Sequence, residues 1–436
     1  MQDDAALPHL QKAVELDPNF AMAWATMGVA LTNMARNSEG AQALKKAYEL
    51  RDRASEREKF YIQAHYYDEV TLDVDKSLAV YAEWRQTYLR DTVPYDNAAL
   101  CLSALGQPEK ALDMASQAHR LDPQDRYAYD NMAGAYEALN RFDEAKAIAD
   151  EAVAKKLSGS GSRFVLVDLA YMHGDHAALK QQMEAVKGTS IEPFVMFFSS
   201  AWESAQGRVN ASHELWKQTR QQIISAGAKE FAANVMTLEA YDDALLGYQA
   251  EARQKASQAV ELSADPDTRS EAALVLATVG DIQKSSALIA GLQHDVPDNR
   301  FIQSLVIPET RAMQELEKNN LAAAISTLEP LRAYEFGTGP RAVGVAPVFL
   351  RGMIYLKMHD GAKAAVEFQR ILDHRGAAGF SEEYPLSHLN LGRAYVLQGD
   401  HAKARTAYQD FFAAWKDADP EIPILKTAKA EYEKLK

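Results

Sequence analysis

Apolar and small residues return along this chain at the 3.6-residue spacing of amphipathic helices, and that pattern itself repeats. The run from Leu102 to Gly106 aligns with the run from Tyr136 to Asn140 at an offset of 34 residues; at the same offset Ala111 falls on Ala145, Ala118 on Ala152 and Asn97 on Asn131. Each unit reads as two antiparallel helices joined by a tight turn. A small residue opens the second helix (Ala111, Ala145, Ala404) and another follows on the same face (Ala118, Ala152), so that the two helices of a pair approach closely. A large residue, Leu31, Leu102, Tyr136, Tyr355 or Tyr395, ends the inner face of the first helix. Gly106, Gly207, Gly247, Gly280 and Gly399 stand between the helices, where a left-handed C-cap is required. Leu-Asp-Pro closes units at residues 16–18 and 121–123, since the residue before proline is steered away from helix. Alternating β-branched runs are nearly absent, so essentially no sheet is predicted.

A period of 34 is that of the tetratricopeptide repeat. The predicted fold is therefore all-α: an α-solenoid, a right-handed superhelix of tetratricopeptide-like helix pairs. About eleven complete pairs and a half are expected, the clearest over 21–52, 93–123, 126–157, 268–297, 348–375 and 385–419. Three stretches are distinguished: 1–157 with regular units, 158–336 with degenerate ones, and 337–436 with regular units and a polar capping helix from Ile422 to Lys436. Ser158–Ser162 and Gly337–Gly344 read as loops where the superhelix bends. Residues 1–18 read as a second helix without its first. A solenoid ends in a polar capping unit rather than half a pair, so the chain is expected to be part of a longer protein.

Charge and composition narrow the function. Lys and Arg number 47 against 61 Asp and Glu, a net charge of −14, which argues against nucleic-acid binding and supplies no polybasic stretch for an anionic membrane. Cys101 is the only cysteine, which excludes an internal disulfide and a cysteine metal cluster. The most apolar stretch, Phe194–Phe198, is far short of the ~20 residues of a membrane span. Met1–Asp4 carries acids and no signal peptide, and the chain as given reads as soluble.

Candidate chemistry is thin. Gly337, Thr338 and Gly339 look like a phosphate loop, but no strand precedes them and Pro340 removes an N–H; Ser158–Ser162 reads as a linker. His173 and His176 flank Gly174-Asp175 and read as exposed turn residues rather than a zinc site. His374 reads as a hydrogen-bonded helix terminus with Asp373 and Arg375 as partners, or less readily as a ligand site; Cys101 reads as a buried, inert thiol. No nucleophile–base arrangement can be proposed. No catalytic residue, cofactor or metal site is expected. What the spacing nominates is the concave groove, lined by first helices. Asp96-Asn97 and Asp130-Asn131 hold equivalent places, with Asn390 at a similar one. Their amides could hold the backbone of an extended peptide; equally, they could cap or bridge neighbouring helices. Asp96 and Asp130 beside them suit a basic or neutral ligand. The aromatics of the third unit (Tyr61, Tyr66, Tyr67, Tyr81, Trp84, Tyr88) and of the seventh (Phe194, Phe197, Phe198, Trp202, Trp216) are mostly core, and any left exposed would anchor a partner.

Several segments carry a resemblance beyond the generic repeat. They are Glu56–Ile62, Tyr334–Gly337, Arg351–Leu356, Glu367–Gly376 and Trp415–Leu425. With them the chain resembles the C-terminal tetratricopeptide regions of large bacterial serine/threonine protein kinases, common in acidobacteria; similar regions are attached to winged-helix transcription regulators. The chain itself has no Gly-rich phosphate loop, His-Arg-Asp catalytic loop or Asp-Phe-Gly metal site, so kinase activity does not carry over. The resemblance implies a sensor or scaffold attached to a signalling domain, binding a protein or peptide. It lies outside the cytoplasm if a membrane helix separates it from the kinase, and inside otherwise. The other functions weighed are self-association as a homo-oligomer and an enzyme with its site inside the solenoid.

Overall fold

The computed structural model describes residues 3–189, 191–339 and 341–435. Among these residues no strand occurs, and every regular element is helical. Asp3–Leu16 stands first and alone. Eleven antiparallel pairs follow, from Ala21–Asn33 with Asn37–Glu49 to Glu383–Leu397 with His401–Ala414; the one-turn helix Arg375–Ala378 interrupts them late, and Pro423–Glu433 closes the series. The all-α solenoid expected from the repeat is the fold observed. The six clearest units start and stop within a few residues of their expected bounds.

Each pair is made by the chemistry its spacing announced. Ala111, Ala115 and Ala118 have no exposed surface, and neither have Ala145, Ala149 and Ala152, nor Ala252, Ala256 and Ala259. Steps of four and three residues put each set on one helix face, and methyl side chains let the backbones close. The turns fall on residues with positive φ: Gly106 at +65°, Gly207 at +75°, Gly247 at +98°, Gly280 at +75° and Gly399 at +74°, with Asn140 at +57° in the same role. The following helix starts on an aspartate in several units. The carboxylates of Asp73, Asp175, Asp281, Asp360 and Asp400 each accept the backbone N–H three residues on, which satisfies one of the helix's orphan donors.

Of the two expected loops, the first differs from its reading. Ser158–Ser162 is not a free linker, because Ser160 already begins the helix Ser160–His173. The Asp130 carboxylate of the preceding unit accepts the N–H groups of Gly159 at 3.2 Å and Ser162 at 2.8 Å, and the Ser162 hydroxyl as well. Side chains at Gly159 or Gly161 would collide with Asp130, so the glycines serve a close approach rather than a bend. The second loop, around Gly337, is irregular as expected but pinned: Phe336 N–H bonds Gly344 at 2.8 Å and Thr338 N–H bonds the Ser103 carbonyl at 2.9 Å. Pro340, Met1, Gln2 and Lys436 lie outside the described residues.

The superhelix turns back on itself. Ser38 N–H, in the turn-side start of an early helix, donates to Glu230 across 192 residues at 3.1 Å. The C-terminal units pack back against earlier ones, meeting them at the helix ends and turns near Ser103, Asn140 and Ala205.

Candidate functional site

Of the five nominated groove residues, four are engaged within the chain. Asn131 Nδ2 donates to the Asp96 carbonyl at 3.1 Å, tying one unit to the next. Asp130 caps the following unit's first helix, as above. Asn390 is buried, donating to the Leu386 carbonyl at 2.9 Å and accepting from Arg393 at 2.9 Å. Asp96 is buried, and its Oδ1 has no partner; burial, then the neighbouring Asp125 charge, pushes its carboxyl up to about 8. It is therefore mostly protonated at neutral pH, and the groove is less anionic than its acids suggest. Asn97 is half-buried, and it is the nominated amide for which no hydrogen bond within the described residues is found.

The occupant of the inner wall is fastened at three heights. At the first, Gly337 and Gly106 allow two backbones to meet: a methyl on Gly337 would overlap the Ala104 carbonyl and one on Gly106 the Glu335 carbonyl. Arg341 adds an ion pair to Glu69 at 3.7 Å. At the second height the Asn140 amide clamps the turn before Arg375. Its Nδ2 donates to the Asp373 carbonyl at 2.8 Å, and its Oδ1 accepts Gly376 N–H at 2.7 Å. At the third, Trp415 Nε1 donates to the Ala205 carbonyl at 2.9 Å, Asp419 N–H to the Gly207 carbonyl at 2.9 Å, and Asn210 N–H to the Asp419 carboxylate at 2.9 Å.

Between these fastenings sits Arg375. Its guanidinium lies 4.9 Å from the Trp202 ring and 4.1 Å from the Tyr384 ring, and it donates to the Gly379 carbonyl at 2.5 Å. Burial lowers its pKa, while the nearby charges of Tyr384, Asp168 and Glu137 act to hold its proton. Asp168 also accepts Trp202 Nε1 at 2.5 Å. The Phe380 ring stands perpendicular to those of Phe198 and Phe197, at 5.1 and 6.3 Å between ring centres. Farther along, Asp242 on the wall faces Glu382 on the occupant, and Tyr241 donates to Glu383 at 3.0 Å. Burial raises the carboxyls of Glu137, Asp168, Asp242 and Glu382.

Four of the segments that carry the kinase-region resemblance find their structural role here. Glu335, Arg351, Glu367 and Arg370 form one ionic cluster beneath the docking loop. Trp415–Leu425 supplies the third fastening. His374 Nδ1 donates to the Arg370 carbonyl, 2.7 Å away, and the ring stacks on Phe336 at 4.0 Å. It is thus a hydrogen-bonded helix terminus, with Arg370 and Phe336 as its partners in place of Asp373 and Arg375. Cys101 is buried against Asp68 at 3.4 Å, and burial together with that carboxylate drives its thiol well up. His173 and His176 are exposed, and no cluster of three or more metal-ligating side chains occurs among the described residues. No described helix is long and apolar enough to cross a membrane.

Sequence spacing missed Asn140, Arg375 and Gly376. A signal for the last was present: Gly376 and Gly337 lie off the turn positions where the repeat needs glycine. The Asn140 clamp can be isolated, since Asn140→Gly keeps the left-handed backbone and removes the amide. Two net hydrogen bonds at roughly 1 kcal/mol each set the expected loss at about 2 kcal/mol in urea unfolding; a change under about 0.3 kcal/mol would mean the clamp is idle.

Comparison with known proteins agrees with the geometry and adds little. A family model described as tetratricopeptide repeat matches residues 385–410, the eleventh pair. No curated protein matches the chain. Among solved structures, the human IFIT1 dimer with m7Gppp-AAAA is 13% identical, covering 94% of this chain and 95% of its own at a TM-score of 0.40. Yeast Tom70 is 11% identical, covering 95% of each chain at 0.36, and a tetratricopeptide repeat protein from Parabacteroides merdae is 12% identical, covering 78% and 98% at 0.27. Likenesses this distant decide nothing about what the chain binds. The helix pairs and the matched unit make it a tetratricopeptide-type repeat region.

Proposed function

We propose that the chain is a non-catalytic protein-binding scaffold, the sensory repeat region of a bacterial signalling protein whose serine/threonine kinase domain is encoded upstream. One observation carries the binding role. The inner wall already holds a protein segment, and does so with backbone carbonyls, an amide clamp and an aromatic cage for arginine, all of which are peptide-recognition chemistry. The kinase parent rests on the resemblance of the segments named above and is tested by reading the coding sequence upstream of Met1. The binding role is tested by titrating purified candidate partners into the chain by calorimetry. A Kd below about 10 μM, weakened tenfold or more by Asn97→Ala with Asn131→Ala, supports a scaffold using its groove amides; one decade is about 1.4 kcal/mol. Binding unchanged in that variant removes those amides from the site. Failure of every candidate to bind tighter than about 1 mM removes the scaffold reading.

A further inference from the structure

We infer that the wall formed by Glu137, Asp168, Trp202 and Asp242 is a docking surface for an arginine-bearing segment of a partner protein, and that the chain's own turn from His374 to Tyr384 occupies it as a releasable plug. The inference rests on the scaffold reading and says which surface is used, by what chemistry, and how it is uncovered.

The resident occupant shows what the wall accepts. Arg375 enters with its guanidinium between Trp202 and Tyr384, facing Glu137 and Asp168, and the planar cation suits both the ring faces and the carboxylates. The plug is nevertheless a poor match for the rest of the surface. Where Asp242 on helix Lys229–Leu246 looks out, the plug offers not a cation but Glu382. Asp242 Oδ2, Glu382 Oε1 and Glu137 Oε1 are buried without a conventional partner. Two facing carboxylates can bond only by sharing a proton.

The groups facing this seam are nearly all acidic. Asp242 meets Glu382, Glu383 and its neighbour Asp243; Glu382 also meets Ser204 on helix Glu192–Ala205. Glu383 accepts from Tyr241 and Ser381 and faces Glu309 on helix Ile307–Glu317. Glu137 meets Asp168 and Arg375, and His388 lies near Arg375 and Asp410. Arg375 is the cation beside Glu137 and Asp168, while Asp243 is held by Lys255 at 2.6 Å and His213 at 2.9 Å. Burial, and then the Glu383 charge, raises Glu309 from 4.5 to about 8; Asp242 and Glu382 move the same way, by burial and by each other's charge.

The sign follows. These carboxyls bind more protons closed than open, so closure is strongest in acid. It weakens as pH rises from about 4.5, where an exposed glutamate ionises, to about 8, where the buried one does. Once uncovered and ionised, the wall is acidic and aromatic, and an arginine-bearing partner without the plug's own acids fits it better than the plug does.

The test uses the full chain with spin labels on Lys146→Cys and Lys363→Cys, two exposed sites on opposite sides of the seam. The label distance is expected to lengthen between pH 6 and pH 9 and to stay short in the double variant Asp242→Asn, Glu382→Gln, which mimics the protonated pair. A synthetic peptide copying residues 370–388, with glutamine in place of both its glutamates, is the docking probe. It is expected to bind the Arg375→Ala chain at least tenfold more tightly than the same peptide carrying alanine at position 375. Circular dichroism checks that each variant is folded. If Arg375→Ala does not fold, the wild-type chain at pH 9 takes its place in the titration. A label distance constant from pH 6 to 9, or a peptide pair that binds equally, overturns the inference. Either result leaves the scaffold reading standing if a purified partner still binds elsewhere on the repeats.

Discussion

Gly376→Ala is expected to unseat the C-terminal units from the inner wall. The added methyl would overlap the carbonyl oxygen of Glu137, with the Glu137 carbonyl carbon and Ala138 N also within reach. These are backbone atoms of the helix Arg126–Ala138, so no side chain can swing aside to make room. The same step pulls Gly376 N–H away from the Asn140 amide. Overpacking of this kind costs about 1–3 kcal/mol when the surroundings can adjust. Here the easier adjustment is separation of the two surfaces. The expected result is a chain that keeps its helix content while its radius of gyration rises in small-angle scattering and its melting transition loses cooperativity. Gly280→Ala is the control. Gly280 has the backbone geometry that disfavours alanine, φ +75°, but open space where the methyl would go. It should cost about 1–2 kcal/mol of local strain and leave the radius of gyration alone. If the two variants behave alike, the contact at Gly376 does not hold the units closed.

The contrast between these glycines also shows where sequence reading reaches. Gly280 is legible because it recurs: a helix pair needs a left-handed residue at one fixed place, and the 34-residue period puts a glycine or asparagine there again and again. The alanine rows are legible for the same reason, since one helix face must stay thin in every unit. Gly376 recurs nowhere. Its need comes from a single encounter with a backbone 239 positions earlier in the chain, and a contact made once leaves no periodic trace. The same holds for Arg375 against Trp202. The acids of the inner wall are intermediate. Asp96 and Asp130 are visible as a repeated pair, but whether such a pair greets a ligand or its own neighbours depends on side-chain contacts between adjacent units, Asp130 with Gly159 and Ser162 and Asp96 with Asp125 and Asn131, which the helical period alone does not encode. The segments that resemble kinase-attached regions were the better clue. They stand out from the generic repeat, and Glu335, Arg351, Glu367, Arg370 and Trp415 belong to the ionic cluster and fastening that hold the C-terminal units against earlier ones.

Removing Arg351 is expected to be among the most damaging single changes available in this chain. Its side chain is fully buried in the helix Ala346–Lys357, pairing with Glu335 at 2.5 Å and Glu367 at 3.2 Å. Arg370 closes the cluster with contacts of 2.6 and 2.8 Å to the same two carboxylates. The cluster is built so that neither buried glutamate depends on one partner, yet only Arg351 comes from the interior side. In Arg351→Ala, a large cavity opens and Glu335 and Glu367 each lose their fully buried donor, leaving only the more exposed Arg370 and, for Glu367, Arg332. Breaking one side of a buried ion pair typically costs about 3–5 kcal/mol. Arg351→Met separates the contributions, because it fills most of the volume and withholds the charge; it should recover the packing part and remain destabilised. Adding Glu335→Gln to Arg351→Met should then recover stability, since the leftover charge is gone, with a coupling of about 1–3 kcal/mol in the double-mutant cycle. The effect should reach the docking loop as well. Glu335 immediately precedes Phe336 and the loop whose Thr338 N–H bonds Ser103, so Arg351→Ala should speed hydrogen exchange at Thr338 far more than at the Asp360-capped turn of the same pair. An Ala variant within about 1 kcal/mol of wild type, or one in which both amides exchange alike, would show that the cluster neither supports the fold nor positions the docking loop.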